Sequence, residues 1–195
     1  LRLLVDAICI NQSDLDERSQ QVSIMRNIFQ AAKEVIVWIG PESDQSDGPV
    51  DMVQSESFSS IGDIQPLDAS ELNAIFAITN RSFWTRVWVI QEIHLARAFM
   101  VGCGTKSIDG LVFDKALGTL IRMDDGSEGS DIGSLTQTRL NFRGPNPACA
   151  LWFARNIGDS ANTLFRWLKV CYNNNFQARN ERVYIYSLLG VAVNC

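Results

Sequence analysis

The residues whose types and spacing could do chemistry lie in two short segments, one at the start of the chain and one near its middle. In the segment from Ser82 to Glu92 (SFWTRVWVIQE), two tryptophans and an arginine precede a lone carboxylate set among Val89, Ile90 and Ile93. An ionised carboxylate in apolar surroundings is costly unless it is paired. Glu92 is therefore either the partner of an arginine such as Arg86 or Arg97, or it faces a cleft as an acid, a base or an electrostatic stabiliser. Structural pairing is the commoner fate. At the start of the chain, Asp6 stands at the carboxyl end of an apolar run and is followed by Ile8-Cys9-Ile10-Asn11-Gln12. Open α/β sheets bind ligands in the crevice beyond their strand ends, so polar residues there have a reason to be present. Asp6, Asn11 and Gln12 either tie down a loop and cap the next helix through side-chain hydrogen bonds, or touch a ligand directly.

Other chemistry finds less support. His94 is the single histidine, which removes metal sites built on several imidazoles and leaves Ser-His-Asp or Cys-His catalysis one candidate. Two residues beyond Glu92 on one helix, its side chain points elsewhere, and it reads as a partly exposed helix residue. Trp84 and Trp88 share one helical face and read more readily as core than as a cofactor platform. Gly102-Cys103-Gly104 lacks the third glycine and the helix start of a dinucleotide fingerprint, and reads as a turn. No metal site is predicted.

The elements that must position these residues follow from periodicity. Leu3 to Ile8 is predicted as a strand. A loop and an amphipathic helix from about Asp14 to Lys33 follow, with Leu15, Val22, Met25, Phe29 and Ala32 on its apolar side. Glu34 to Ile39 (EVIVWI) is β-branched and continuous and ends at Gly40-Pro41, as a buried parallel strand does. Together these predict a right-handed βαβ unit. Pro41 to Pro66 reads mostly as loop, with Val50 to Val53 and Phe58 as weak helical anchors. A helix carrying Leu72, Ile75 and Phe76 and a second from about Phe83 to Ala96 come next. Phe99 to Cys103, a tight turn at Gly104 and Thr105 to Ile108 predict two strands at the sheet edge, followed by a helix from about Asp109 to Met123. Residues 124–147 read as a flexible connection, and helices are predicted at about Ser160 to Cys171 and Asn180 to Leu189.

Composition bounds the function classes. The 195 residues are 46% hydrophobic and 20% charged, enough for one well-buried core. A net charge of −5 gives no attraction to phosphate backbones or anionic lipid, so nucleic acid is not an expected partner. The five cysteines are odd in number and too widely spaced for a CxxC pair or a disulfide ladder, which predicts reduced thiols in a cytoplasmic protein. No apolar run approaches the roughly 20 residues of a membrane span.

Four segments in order resemble a known family. The chain is similar to fungal heterokaryon-incompatibility (HET) domains in L-V-D-A-I-C-I-N-Q from Leu4, in Glu17, Arg18, Gln21, Val22 and Met25 of an E-R-x-x-Q-V-x-x-M pattern, in VIVWIG from Val35, and in R-x-W-V-x-Q-E from Arg86 to Glu92. ERVYIYSLLGVA from Glu181 to Ala192 resembles a segment that often follows. The resemblance implies an intracellular module of fungal non-self recognition that triggers regulated cell death, acting with an activating receptor or incompatibility partner and as a homo-oligomer. The family usually begins with a further strand ending near S-Y-x-W-G. Residues 1–123 are thus expected to be a HET core lacking its first strand, with residues 148–195 a helical region packed on it.

More remotely, the family resembles TIR domains, many of which hydrolyse NAD. Asp6, the VIVWIG strand and Trp88 to Glu92 fall in the TIR order, with Glu92 at the catalytic glutamate. The implied fold is a three-layer α/β sandwich with a partly parallel sheet, TIR-like or flavodoxin-like, plus a mainly helical C-terminal region. The implied enzyme is an NAD hydrolase with no permanently bound cofactor, in which Asp6, Asn11, Gln12, Arg86 and Trp88 line the nucleotide cleft. Little turnover is expected from residues 1–195 alone. The alternative is a non-enzymatic signalling module acting by self-association or receptor docking, with Glu92 a salt-bridge partner.

Overall fold

The computed structural model describes residues 3–11, 13–41, 47–54, 69–125, 146–156 and 162–192. Its sheet is small and mixed. Strands β1 (Val35–Trp38), β2 (Phe99–Cys103) and β3 (Lys106–Asp109) lie in that order, β1 parallel to β2 and β2 antiparallel to β3. The β2–β3 hairpin forms where it is predicted, its turn relying on Gly104 at a φ of 56°, a conformation that costs glycine nothing. β1 is registered with β2 from Val35↔Phe99 to Trp38↔Gly102.

Nine helices accompany this sheet among the described residues: α1 (Asp6–Cys9), α2 (Leu15–Ala31), α3 (Asp47–Gln54), α4 (Ala69–Thr79), α5 (Val89–His94), α6 (Gly110–Asp125), α7 (Pro147–Asn156), α8 (Leu164–Asn173) and α9 (Glu181–Leu189). Three begin with side-chain caps that the sequence displays. Asp14 accepts from the backbone N–H groups of Asp16 and Glu17, Thr163 from Arg166 and Asn180 from Val183. α3 forms in a stretch read mostly as loop because Val50 and Val53, each 1% exposed, pack into the core. α7 has no counterpart in the predicted elements.

Helices cover one face of the sheet. Val35, Val37, Phe99, Val101, Cys103 and Ile108 are buried in one core with Val50 and Val53 of α3, Ile75 and Ile78 of α4, and Phe113 and Leu117 of α6. On the opposite face Ile36 and Trp38 remain 57% and 54% exposed. The described residues therefore form two layers, and the expected third layer is not among them. The TIR-like or flavodoxin-like outline is likewise narrower here: α/β, with three strands and mostly helix.

The strand expected at Leu3 to Ile8 is not formed. Leu3, Leu4 and Val5 are 67%, 46% and 37% exposed, and the segment closes its hydrogen bonds locally, Cys9 N–H donating to the Val5 carbonyl at 2.7 Å. A strand exists only beside a partner, and none of the three strands lies alongside, so the backbone folds into the single turn α1. The βαβ unit of the first two predicted strands is thus replaced by a longer crossover from β1 to β2 through α3, α4 and α5. The connection expected over 124–147 falls almost entirely outside the described residues.

Candidate functional site

The helix expected from Phe83 to Ala96 is broken into two pieces, and the break makes the site. Ser82–Thr85 forms one 3-10 turn, and α5 starts only at Val89. Between them Arg86 is extended and bridges in parallel to Gln177, with Val87 N–H donating to the Gln177 carbonyl and Gln177 N–H donating to that of Thr85. A pairing partner about ninety positions downstream overrides the local helical pattern, as tertiary contacts routinely do.

Trp84 anchors the first piece. It is 1% exposed, stacks on Phe113 at 5.3 Å between ring centroids, and donates its indole N–H to the Ile78 carbonyl at 2.9 Å. Trp84 is thus core. Trp88 immediately precedes α5, half-buried against the same core. The extended Arg86 leaves its side chain 47% exposed, with its guanidinium 5.2 Å above the Phe83 ring.

Glu92, on the first turn of α5, is paired with Arg86, Nη2 to Oε1 at 3.4 Å. Of the two arginines weighed from the sequence, the structure selects Arg86. The Glu92 side chain is only 16% exposed. Burial raises its proton affinity above the ordinary carboxylate value, the Arg86 cation works in the opposite direction, and the negative charge of Asp6 raises it further. That last influence locates Asp6 of α1 in the same electrostatic neighbourhood. The fold therefore gathers Asp6 from one segment with Arg86 and Glu92 from another.

The remaining predicted site residues divide. Asn11 is exposed and shapes its loop: its side chain accepts from Ser13 N–H at 3.1 Å, and its own N–H donates to Glu17 at 3.2 Å. Gln12 lies outside the described residues. His94 packs edge-on against Trp167, centroids 5.2 Å apart, and is partly exposed at the end of α5, as expected. Cys103, Cys149 and Cys171 are buried and Cys9 is exposed. No group of three or more His, Cys, Asp or Glu is placed to hold a metal ion among the described residues, and no helix there is long and apolar enough to cross a membrane.

Gln91, a neighbour of Glu92 with no conspicuous sequence signal, proves structurally central. It is 2% exposed, and its amide donates to the Ser187 and Tyr186 carbonyls of α9 at 2.8 and 3.2 Å. Gly190 lies flat against that amide, so close that a Cβ there would overlap it. Only a polar residue buried in an otherwise apolar run hints at such a role.

A buried carboxylate beside a partly exposed guanidinium can accept a hydrogen bond from a hydroxyl, or stabilise positive charge that develops near it. The comparisons with known proteins bear on the same segment. Residues 2–92 match the family described as heterokaryon incompatibility protein (HET), the match ending on Glu92. The chain is 32% identical over 142 aligned residues to heterokaryon incompatibility protein 6, OR allele, of Neurospora crassa. That alignment spans 55% of this chain and 21% of the relative, so the chain corresponds to about a fifth of the relative's length. No solved structure matches. Residues 2–92, which hold the motif from Val5 and the segment from Arg86 to Glu92, are thus similar to the heterokaryon incompatibility (HET) family.

Proposed function

We propose that the chain serves fungal non-self recognition in the cytoplasm and triggers regulated cell death by hydrolysing NAD, with Glu92 as the catalytic residue. The observation that carries this reading is the Arg86–Glu92 pair at 3.4 Å, with Glu92 only 16% exposed and the charge of Asp6 also felt there. The ionised Glu92 accepts a hydrogen bond from the nicotinamide ribose. It then stabilises the oxocarbenium-like centre as the glycosidic C–N bond breaks, in the way carboxylates serve glycoside hydrolysis. Nicotinamide departs with the bonding electron pair, and water adds to the ribose carbon with loss of a proton to give ADP-ribose. Arg86 favours the ionised carboxylate and offers a cation to the diphosphate, and Asp6, Asn11 and Trp88 are the further residues assigned to the nucleotide.

A second reading, a signalling module acting by self-association or receptor docking, draws on the Arg86–Glu92 ion pair at 3.4 Å and on the open sheet face of Ile36 and Trp38. NAD loss followed over time with full-length protein, forcibly oligomerised, separates the two. Consumption by wild type and its absence in Glu92→Gln support catalysis. No consumption by either leaves the signalling module, and equal consumption by both removes Glu92 from the mechanism.

A further inference from the structure

The segment that carries Arg86 and Glu92 is held from outside by residues 176–190, beyond the stretch matched by the HET family. Gln177 pairs with the backbone on both sides of Arg86. The adjoining Phe176 is 4% exposed, and its carbonyl accepts from the Tyr184 hydroxyl of α9 at 2.6 Å. Two and three residues further along the same helix, the Tyr186 and Ser187 carbonyls accept from the Gln91 amide. α9 thus touches the candidate site at two places: through Tyr184, Phe176 and Gln177 to Arg86, and directly to Gln91 beside Glu92.

We propose that Tyr184 and Gln91 are positioning residues, through which the C-terminal helix α9 sets Arg86 against Glu92 and completes the site. The inference rests on reading the Arg86–Glu92 pair as that site. Two features of the geometry carry it. Arg86 lies between two helical pieces, its N–H donating to the Phe83 carbonyl and its own carbonyl accepting from Val89, and the Gln177 bridge to Thr85 and Val87 is what ties that junction to the C-terminal region. Gln91 is buried with its donors spent on α9 rather than on its own helix, so α5 and α9 must move together. Neither residue touches the carboxylate, and each acts through another group.

A titration of Glu92, followed by NMR on the 195-residue chain with labelled glutamate, tests this without measuring turnover, so its failure and the failure of the NAD reading are separately visible. The charges acting on Glu92 are Arg86, which lowers its proton affinity, and Asp6, which raises it. Tyr184→Phe, which removes one hydroxyl, is expected to move the Glu92 midpoint upward as Arg86 loses its fixed place, and Gln91→Ala to move it the same way. In an Arg86→Ala background, Tyr184→Phe is expected to move it no further. Val53→Ala in remote α3 lowers stability and is expected to leave the midpoint where it was, which a merely structural role for Tyr184 would also do. An unmoved midpoint in Tyr184→Phe, or the same movement with and without Arg86, overturns the proposal.

Discussion

Gly190→Ala is a substitution that ordinary rules call harmless and that this structure makes costly. Gly190 follows α9 at φ −68° and ψ −21°, a right-handed conformation open to any residue. On backbone grounds alanine there stabilises by about 0.4–1 kcal/mol, through the unfolded chain. The new methyl, however, overlaps the Gln91 amide, which is 2% exposed. Displacing that amide breaks its bonds to Ser187 and Tyr186, each worth roughly 1 kcal/mol net, with a further ~1 kcal/mol for a carbonyl left buried and unmet. The single substitution is thus expected to lose about 2 kcal/mol after the backbone gain. With Gln91 already cut to alanine the overlap disappears, and Gly190→Ala then costs nothing or stabilises by about 0.5 kcal/mol. The coupling in a double-mutant cycle, read from urea unfolding of the four proteins, is therefore about 2–3 kcal/mol. A Gly190→Ala cost that is the same in both backgrounds would refute the clamp between α5 and α9.

Two further outcomes follow from the titrating groups. Because burial raises the Glu92 proton affinity, the native state holds a proton that the unfolded chain has released, and the stability Glu92 contributes at low pH is lost as pH rises from the ordinary carboxylate value of 4.5 through its raised folded value. Glu92→Gln is expected to flatten that decline and to be the more stable protein at neutral pH, and denaturant midpoints from acid to neutral pH that run parallel in the two proteins would contradict it. Among the described thiols, Cys9 is expected to react first with a maleimide in the native state. Cys171, whose thiol burial pushes up to about 12, is expected to react only on unfolding, and peptide mass spectrometry reads the order.

What the sequence made legible was whatever is encoded locally. Asp14 before an amphipathic run, the β-branched VIVW, the glycine turn between Cys103 and Lys106, and Asn180 ahead of the last helix each carry their own signal, and each element stands within a few residues of its predicted place. The Arg86–Glu92 pair was legible too, because a carboxylate in apolar company has few acceptable surroundings. The expected strand at Leu3 failed because pairing is a property of two segments, and the first segment alone does not reveal whether it has a neighbour. The helix predicted through Arg86 failed for the converse reason: Gln177 competes for its backbone, and nothing around Arg86 announces that competitor. α3 went mostly unrecognised because Gly48 and Pro49 sit in its first turn, where proline is well tolerated. Gln91 went unnoticed because a single glutamine has no periodicity.

The bridge between Arg86 and Gln177 also sets a temporal order on the molecule. Pairing across that distance requires closing a very long loop, whose entropy must be met before the contact returns anything, so it forms late compared with the β2–β3 hairpin or the helices. On a ribosome, where synthesis runs at about 5–20 residues per second, several seconds separate the appearance of Arg86 from that of Gln177. Throughout that interval Arg86 and Glu92 exist without the partner that fixes them. A nascent chain therefore carries Asp6, Arg86 and Glu92 before it carries the residue that ties their segment down, which makes their arrangement a property of the finished fold.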